Sequence, residues 1–197
     1  MNKIAGIYHL MELGLPTLDI TILSSRNPEK EIARAYRDLP LGWVARCGEN
    51  PDYNANPERP LPWEVAASFD GLVDKVKELR NQVGNKLLIF VHPQRKMDRA
   101  GNLLILGNEI ILEGCNGPYT NLARLAAGKD NPEQFITFNP WMIGVKKKEG
   151  MDVFSVDDLY QIRCVERMLS TPPNSSVQFE FSFNGSRIDV HDITILY

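Results

Sequence analysis

Two alternating runs of apolar and polar residues flank Asn184-Gly185 near the end of the sequence. Asn-Gly is the dipeptide best suited to a two-residue hairpin turn, because both central residues of that turn adopt a positive φ. Residues 177 to 192 are therefore predicted to form a β-hairpin. Pairing outward from the turn places five apolar side chains on one face, which we expect to be buried: Phe179, Phe181, Phe183, Ile188 and Val190.

The other face of the predicted hairpin collects polar and charged side chains. In this register Glu180 lies directly opposite Asp189, and His191 lies opposite Gln178. Like charges in a directly opposed pair are unfavourable. One explanation is a solvated face on which Arg187, diagonal to Asp189, screens the two carboxylates. The other is a cation between them, because carboxylate oxygens are the protein ligands that Mg²⁺ prefers.

Length and composition describe an ordinary globular protein. The chain has 197 residues, of which 43% are hydrophobic and 24% charged, enough for one core or two small lobes that share a cleft. A net charge of −3 provides no basic field for nucleic acid or anionic lipid, and the basic run 146–148 is interpreted as a solvated loop. The three cysteines lack metal-ligand spacing and are expected to be reduced.

The N-terminal residues do not form the apolar run of a signal peptide, and no stretch approaches the roughly 20 apolar residues of a membrane span. We therefore expect a cytoplasmic protein that binds neither a membrane nor nucleic acid.

Hydrophobic periodicity and turn residues give the order of the elements. The first half is predicted to contain a helix ending at Gly14, a strand over 19–24, a helix over 28–38, a strand over 43–46, a polar loop over 47–62 with a mobile tip, and a helix from Phe69 to Gly84. The second half is predicted to contain a buried strand over 87–91, a hairpin turning at Gly107-Asn108, a helix over 119–127, a helix opened by a Ser155 capping box, and the closing hairpin. This order favours an α+β fold of one domain over 1–197, with mostly antiparallel sheets and lobes near 1–85 and 86–197.

Charged side chains at strand ends are the candidates for chemistry. Glu113 ends the second hairpin just before Gly114 and offers another carboxylate ligand. Arg46 ends a strand, and its planar fork suits a phosphate group, although a strand-end arginine is usually a surface residue. Lys3 lies just before the first predicted helix. The sequence contains no Walker or Rossmann glycine loop, and its three histidines form no metal-binding pattern.

Several segments match one family in order. They are Lys3-Ile-Ala5, Gly14-Leu-Pro-Thr17, Trp43-Val-Ala-Arg46, Leu88-Ile-Phe-Val-His92, Ala100-Gly-Asn-Leu-Leu-Ile105, Ile111-Leu-Glu-Gly-Cys-Asn-Gly117, Gly128 with Pro132-Glu-Gln-Phe135, Phe179-Glu-Phe181 and Val190-His191. Together they resemble the ATP-grasp nucleotide-binding domain of phosphoenolpyruvate synthase, pyruvate phosphate dikinase and rifampicin phosphotransferase. The resemblance implies an ATP-grasp-like fold with two lobes around a nucleotide cleft. It also implies that Lys3 and Arg46 contact the phosphates of ATP and that the backbone near Val91 and His92 meets adenine.

The same resemblance implies a magnesium site. It places Glu113 and Glu180, with Asp189 and His191 beside them, around an Mg²⁺ ion bound to ATP. The implied activity is that of an ATP-dependent phosphotransferase or ligase, with a small molecule or a separate subunit as the unknown acceptor. No catalytic residue of this chain is assigned.

Departures from the family pattern keep a second hypothesis open. The two serines that follow the phosphate-binding arginine are replaced by Cys47-Gly48, and the arginine of the last motif is replaced by Ile193. The chain is also shorter than the family domain and lacks its phosphocarrier histidine segment and its enolpyruvate-binding barrel. The alternative is therefore a degenerate, non-catalytic module of the same fold that serves binding or scaffolding.

Overall fold

The computed structural model describes residues 3–24, 27–50, 61–126, 128–138, 144–169 and 176–196. Within these ranges lie ten strands and five helices. In chain order they are α1 (Lys3–Glu12), β1 (Thr21–Leu23), α2 (Pro28–Ala35), β2 (Trp43–Glu49), β3 (Trp63–Ala66), α3 (Phe69–Val83), β4 (Leu87–Pro93), β5 (Arg99–Leu106), β6 (Glu109–Asn116), α4 (Tyr119–Ala126), β7 (Gln134–Phe138), β8 (Val145–Gly150), α5 (Val156–Met168), β9 (Ser176–Asn184) and β10 (Arg187–Leu196). None of the helices in the described ranges is long and apolar enough to cross a membrane.

The chain divides into two compact units, each with its own sheet. The smaller unit spans Leu18–Arg95, and the larger unit combines Lys3–Thr17 with the chain from Lys96 onward. This division differs from the boundary near residue 85 expected from the sequence. The reason is that β4 lies inside the smaller sheet, while the first helix packs on the last strand, where Gly6 lies against Ile193.

The smaller unit is an antiparallel sheet in the order β1-β4-β2-β3. Helices α2 and α3 cover one of its faces, and α3 begins at Ser68, whose hydroxyl accepts a hydrogen bond from Gly71 N at 3.2 Å. The core on that face contains apolar side chains from both helices and the sheet: Leu23, Ile32, Trp43, Ala45, Cys47, Leu72, Val76, Ile89 and Val91. Because side chains alternate along a strand, Arg46 and His92 lie on the opposite face.

The larger unit is an antiparallel sheet in the order β10-β9-β5-β6-β7-β8. Its apolar face packs against α1 and α5 in the largest core, which includes Leu10, Leu103, Leu112, Phe154, Ile162, Val165, Phe179, Phe181 and Phe183. The smaller α4 packs on the other face, where its leucines Leu122 and Leu125 contact Ala100 and Cys115. The sheet is therefore covered by helices on both faces.

A buried ion pair fixes α5 to the larger sheet. Ser155 and Asp158 form the expected capping box, with Ser155 N donating to Asp158 Oδ2 at 2.9 Å. The same carboxylate accepts two hydrogen bonds from Arg99, at 2.8 and 2.6 Å. Burial by itself would raise the pKa of Asp158, but these hydrogen bonds and the Arg99 charge together hold it below its ordinary value.

Three strands were not predicted, and two apolar residues on helices are exposed. Strands β3, β7 and β8 occupy segments that the sequence assigned to loops or left unassigned, and β2 continues to Glu49 instead of ending at Arg46. The apolar side chains of Met11 on α1 and Val156 on α5 are 38% and 82% exposed, so neither belongs to the core. The predicted mobile tip of the 47–62 loop falls at residues 51–60, outside the described residues.

The basic run 146–148 forms an edge strand, not a loop. Strand β8 pairs only with β7 in the described sheet and is exposed along its whole length. Its three lysines form ion pairs with Glu109, Glu149 and Asp152. Lysines on an exposed edge discourage pairing with another chain, so the run has a structural reason that needs no ligand.

The closing hairpin forms, but in a different register. The two-residue loop is Gly185-Ser186 and Asn184 pairs with Arg187, so Asp189 faces Ser182 and not Glu180. Asp98 explains the position of the turn, because it accepts a hydrogen bond from Gly185 N at 2.8 Å and its own N–H donates to Phe183 at 2.9 Å. A further register shift between Val190 and Asp192 then brings Asp192 opposite Glu180.

Candidate functional site

Four oxygen-bearing side chains lie in one row across neighbouring strands of the larger sheet. Asp192 on β10 pairs with Glu180 on β9, Glu180 pairs with Asn102 on β5, and Asn102 pairs with Glu113 on β6. Directly opposed residues project from the same face of a sheet. We call these four residues the carboxylate row. At the usual strand spacing it spans about 14 Å between its outer Cα atoms.

The carboxylate row combines buried and partly accessible groups. Asn102 is 9% exposed and Asp192 7% exposed, whereas Glu180 and Glu113 keep intermediate exposure. Asn102 Oδ1 accepts a hydrogen bond from Gln178 Nε2 at 2.9 Å. The two glutamates therefore remain accessible on either side of an amide whose orientation is fixed.

Asp189 and His191 lie next to the carboxylate row, not within it. Asp189 faces Ser182 and is 3% exposed, and Arg187 Nη2 approaches its Oδ1 to 3.4 Å. His191 occupies the register shift, with its Nε2 2.7 Å from Ser182 Oγ. The predicted contact between Arg187 and Asp189 is thus present, but the predicted Glu180–Asp189 pair was wrong.

The donor set of the carboxylate row fits Mg²⁺ bound to phosphate. Among the described residues, no three His, Cys, Asp or Glu side chains lie close enough together to hold a metal ion. Mg²⁺ does not require such a set, because it usually takes one or two carboxylates and completes its octahedron with waters and phosphate oxygens. Glu180 and Glu113, with Asn102 between them, provide that number of carboxylates on one face.

Sequence reasoning found Glu113 and Glu180 but missed Asn102 and Asp192. A signal for Asn102 was available, because it is the one side chain with hydrogen-bonding groups between Gly101 and Leu106. A polar side chain in such a strand is typical of a site on the polar face. Asp192 gave no local signal, since its position depends on the register shift at His191.

Three predicted nucleotide contacts lie in the smaller unit. Arg46 pairs with Phe90 and Trp63, is 7% exposed, and shares a face with His92. The His92 ring stacks on Phe90, with ring centroids 6.3 Å apart. Val91 lies between β1 and β2, with its side chain in the helix-covered core, whereas His92 lies beyond the last residue that pairs with β1. The pairing of β1 with β4 therefore ends at Val91.

The remaining predicted phosphate contact is Lys3, the first residue of α1. Its side chain lies outside the described part of the chain, so its proposed role stays a prediction.

Neither cysteine near these residues is a thiolate at neutral pH. Burial raises the pKa of Cys47, which follows Arg46, to about 11, and the Arg80 charge only partly opposes this. Burial likewise raises the pKa of Cys115 to about 11, helped by the charges of Glu133 and Asp130. A protonated thiol is a poor nucleophile and a poor metal ligand. We therefore assign neither Cys47 nor Cys115 a role as nucleophile or metal ligand.

No protein-family model and no curated protein sequence matches the chain. Solved structures do match it. ACD1 of Ca. Korarchaeum cryptofilum in complex with coenzyme A superimposes with a TM-score of 0.62 at 12% identity, over 100% of this chain and 92% of that chain. Carboxyaminoimidazole ribonucleotide synthase from Aspergillus clavatus, complexed with ATP, gives 0.54 at 11% identity, over 94% of this chain and 42% of that chain. The D-alanine-D-alanine ligase from Coxiella burnetii gives 0.52 at 13% identity, over 94% and 44%.

These similarities concern the fold. Our chain spans nearly all of the ACD1 chain but less than half of the synthase and ligase chains. The three matched structures have ATP-grasp-like folds. The two antiparallel sheets and their packed helices therefore form an ATP-grasp-like fold.

Proposed function

We propose that this protein binds ATP together with Mg²⁺ and uses it for phosphoryl transfer or ligation. The observation that carries the proposal is the carboxylate row, Asp192–Glu180–Asn102–Glu113, on a fold similar to ATP-dependent synthetases and ligases. The fold alone does not assign an activity. The row adds what this chemistry needs, namely carboxylate ligands on one rigid sheet face.

Glu180 and Glu113 are the proposed metal ligands. A bound Mg²⁺ ion would neutralise charge on the phosphates of the nucleotide. The two glutamates reach the same region from β9 and β6, with Asn102 between them. Binding a cation there also relieves the repulsion between Glu180 and Asp192, which directly opposed like charges otherwise cost.

Asp189 and His191 are proposed to support this site from the adjacent positions on β10. Both are buried, and each is held by a neighbour, Asp189 by Arg187 and His191 by Ser182. Groups held in this way orient metal ligands and bound water without touching the ion. Their substitution should therefore weaken metal binding less than substitution of Glu180.

For the nucleotide itself we propose the cationic and backbone groups named from the sequence. Arg46 offers a planar, permanently charged fork for a phosphate. The backbone near Val91 and His92 is proposed to meet adenine, and Lys3 to contribute a second positive charge to the phosphates. Each role is a separate hypothesis, which substitution of that residue tests.

The acceptor is proposed to come from outside the chain. Dinucleotide-forming acetyl-coenzyme A synthetase 1 of Ca. Korarchaeum cryptofilum, in complex with coenzyme A, acetyl-coenzyme A and a phosphorylated phosphohistidine segment, superimposes with a TM-score of 0.59 at 11% identity. A partner that supplies a phosphate-accepting segment would provide what this sequence lacks. A small-molecule acceptor is the alternative within the same proposal.

One observation favours a second candidate, a non-catalytic binding module. The residue after Arg46 is Cys47, whose side chain packs in the helix-covered core. The next position on the face of Arg46 is Gly48, which has no side chain to bind a phosphate. A chain that has lost these hydroxyl groups could retain the fold without turnover.

Isothermal titration calorimetry with ATP and Mg²⁺ tests the proposal. We expect the wild type to bind and both Glu180→Gln and Glu113→Gln to bind at least tenfold more weakly, on the order expected for loss of a charged ligand. Glu109→Gln is the matched control, because Glu109 lies on the same strand as Glu113 but at its exposed end beside Lys146. No heat with the wild type would overturn nucleotide binding. Binding without transfer to phosphohistidine peptides or small acceptors would support the non-catalytic module.

A further inference from the structure

Asn102 occupies a distinctive place, as the neutral member of the carboxylate row. It lies directly between Glu180 and Glu113 and is 9% exposed, so its amide has little access to water. A polar group buried to this extent normally has hydrogen-bond partners for both of its ends. The hydrogen bonds that the Asn102 amide makes therefore indicate which of its two ends is available to a ligand.

Gln178 determines which end of the Asn102 amide points where. Gln178 Nε2 donates to Asn102 Oδ1 at 2.9 Å, so the oxygen is directed towards β9. The amide is planar, so its Nδ2 group is directed away from Gln178. In the described part of the chain, Gln178 is the only group found hydrogen-bonded to the Asn102 side chain. Two N–H donors are thus presented on the row without a protein acceptor.

We propose that Asn102 Nδ2 donates a hydrogen bond to an oxygen of the metal-bound phosphate, and that Gln178 is the positioning residue for this contact. This inference rests on the proposed binding of ATP with Mg²⁺ and assigns a second kind of contact within that site. The reason is chemical. A phosphate lying over two carboxylates needs a donor in addition to the metal, and a neutral amide supplies one without repelling the cation.

The assignment makes Asn102 selective for phosphate over metal. A metal ion alone would be bound by the carboxylates of Glu180 and Glu113. Asn102 would not contribute to its binding. A metal–phosphate complex would gain the amide contact in addition. Substitution of Asn102 should therefore separate the two affinities, which a purely structural role would not do.

The first experiment measures both affinities in Asn102 variants. We expect Asn102→Leu to weaken binding of ATP with Mg²⁺ by about tenfold to a hundredfold, the range for a lost hydrogen bond to a charged group. Binding of Mn²⁺ alone, followed by electron paramagnetic resonance, should change by less than about twofold, since charged ligands dominate metal affinity. The nearly isosteric Asn102→Asp should weaken ATP binding and strengthen Mn²⁺ binding. It also provides a folded variant in case leucine disrupts the strand.

The second experiment reverses the orientation of the amide. Gln178→Glu replaces the donor with an acceptor, which attracts Nδ2 and turns Oδ1 away from position 178. We expect this variant to lose as much affinity for ATP as Asn102→Leu, whereas Gln178→Met should lose less because it only frees the amide. Gln161→Met is the matched control, since Gln161 is bonded to the backbone of Ser186 on the exposed side of α5.

The outcomes separate this inference from the proposed function. If the wild type does not bind ATP with Mg²⁺, the proposed function fails and the inference fails with it. If Glu180→Gln loses binding while Asn102→Leu binds as the wild type does, the site stands and the role of Asn102 is overturned. If Asn102→Leu loses Mn²⁺ and ATP affinity equally, Asn102 is a metal ligand through Oδ1, which also overturns the assignment.

Discussion

Glu180 lies directly opposite Asp192 on the closing hairpin, just after the register shift that follows Val190. The extra residue at this shift, His191, keeps Asp192 on the polar face and returns Ile193 to the apolar face against α1. Without it, the alternation of the strand would direct Asp192 into the apolar core. The bulge therefore places two acidic side chains opposite each other on the polar face of the hairpin.

Ligand-dependent stability provides the first prediction. At a nucleotide concentration a hundred times the dissociation constant, binding of ATP with Mg²⁺ should raise the unfolding free energy of the wild type by about 2.7 kcal/mol. Glu180→Gln, which is expected to bind at least tenfold more weakly, should keep at most about 1.4 kcal/mol of this gain. Thermal unfolding with and without ATP and Mg²⁺ measures the difference.

The controls for this prediction separate metal binding from simple charge screening. ATP without Mg²⁺ should stabilise the wild type much less than the complete ligand. Glu109→Gln should retain the full gain, since Glu109 pairs with Lys146 at the edge of the sheet. An equal gain in Glu180→Gln and in the wild type would show that the carboxylate row does not bind the metal.

Acid sensitivity provides the second prediction, through Asp158. The pKa of its carboxyl is held below the ordinary value of 3.8 in the folded protein by Arg99 and Ser155, although burial opposes this. A lowered folded pKa adds stability that is complete well above pH 3.8 and is lost as the pH falls through the folded pKa. Asp158→Asn should therefore destabilise the protein at pH 7 by about 2 kcal/mol or more, since it leaves Arg99 without its charged partner.

The difference between the two proteins should shrink as the pH falls below 4, because the unfolded wild type then binds a proton at Asp158 that the folded protein, with its lowered pKa, does not yet bind. Urea unfolding at a series of pH values from 7 to 3 measures this trend. Asp130→Asn is the control: its pKa is also lowered, by Arg124, but the pair is exposed and should contribute little. A constant difference between wild type and Asp158→Asn across the series would contradict the prediction.

Helices and hairpins could be predicted where the local sequence determines them. The end of α3 follows from Gly84, which adopts a φ of 59°, and the start of α5 follows from the Ser155 capping box. The missed strands lack such signals. Strand β3 has four residues at a sheet edge, and β8 is exposed throughout with three lysines, so neither shows an apolar alternation. Their strand structure comes from pairing with neighbours, which a local pattern does not reveal.

The candidate site could be predicted only in part for the same reason. Glu113 and Glu180 were selected as metal ligands from the hairpins and the family resemblance, and the structure places them in one row. Which residue of β10 lies opposite Glu180 depends on features outside the local pattern. The contact between Asp98 and Gly185 moves the turn by one residue, and the shift before Asp192 exchanges that residue for Asp189. The first is a contact between residues 87 positions apart in the sequence, and the second is a bulge that the local alternation does not reveal.

Close packing beneath the carboxylate row provides the third prediction. Gly114 pairs with Gly101, and a Cβ at Gly114 would lie 2.5 Å from Cε2 of Phe154. Because Phe154 is buried, the ring has little room to move. Gly114→Ala should therefore lower the unfolding free energy by about 1–3 kcal/mol. Chemical denaturation measures the change.

A second substitution tests whether Phe154 causes this effect. Adding Phe154→Leu to Gly114→Ala should recover part of the lost stability, so that the double variant is more stable than the sum of the two single changes. Gly144→Ala is the control, because a Cβ there meets no atom within 4 Å and its φ is not in the positive range. Strictly additive changes would place the source of the strain elsewhere.

Thiol reactivity provides the last prediction. Burial raises the pKa of Cys47 and Cys115 to about 11, so at pH 8 roughly one in a thousand of either thiol is ionised, in addition to being shielded from reagents. Cys164 on α5 is partly exposed. Native protein treated with iodoacetamide at pH 8 should therefore be alkylated first at Cys164, and peptide mass spectrometry identifies the site.

In denaturant all three thiols should react at similar rates, which controls for intrinsic reactivity. Rapid native labelling of Cys47 would contradict the packing described here, since its side chain lies in the core between β2 and the helices of the smaller unit.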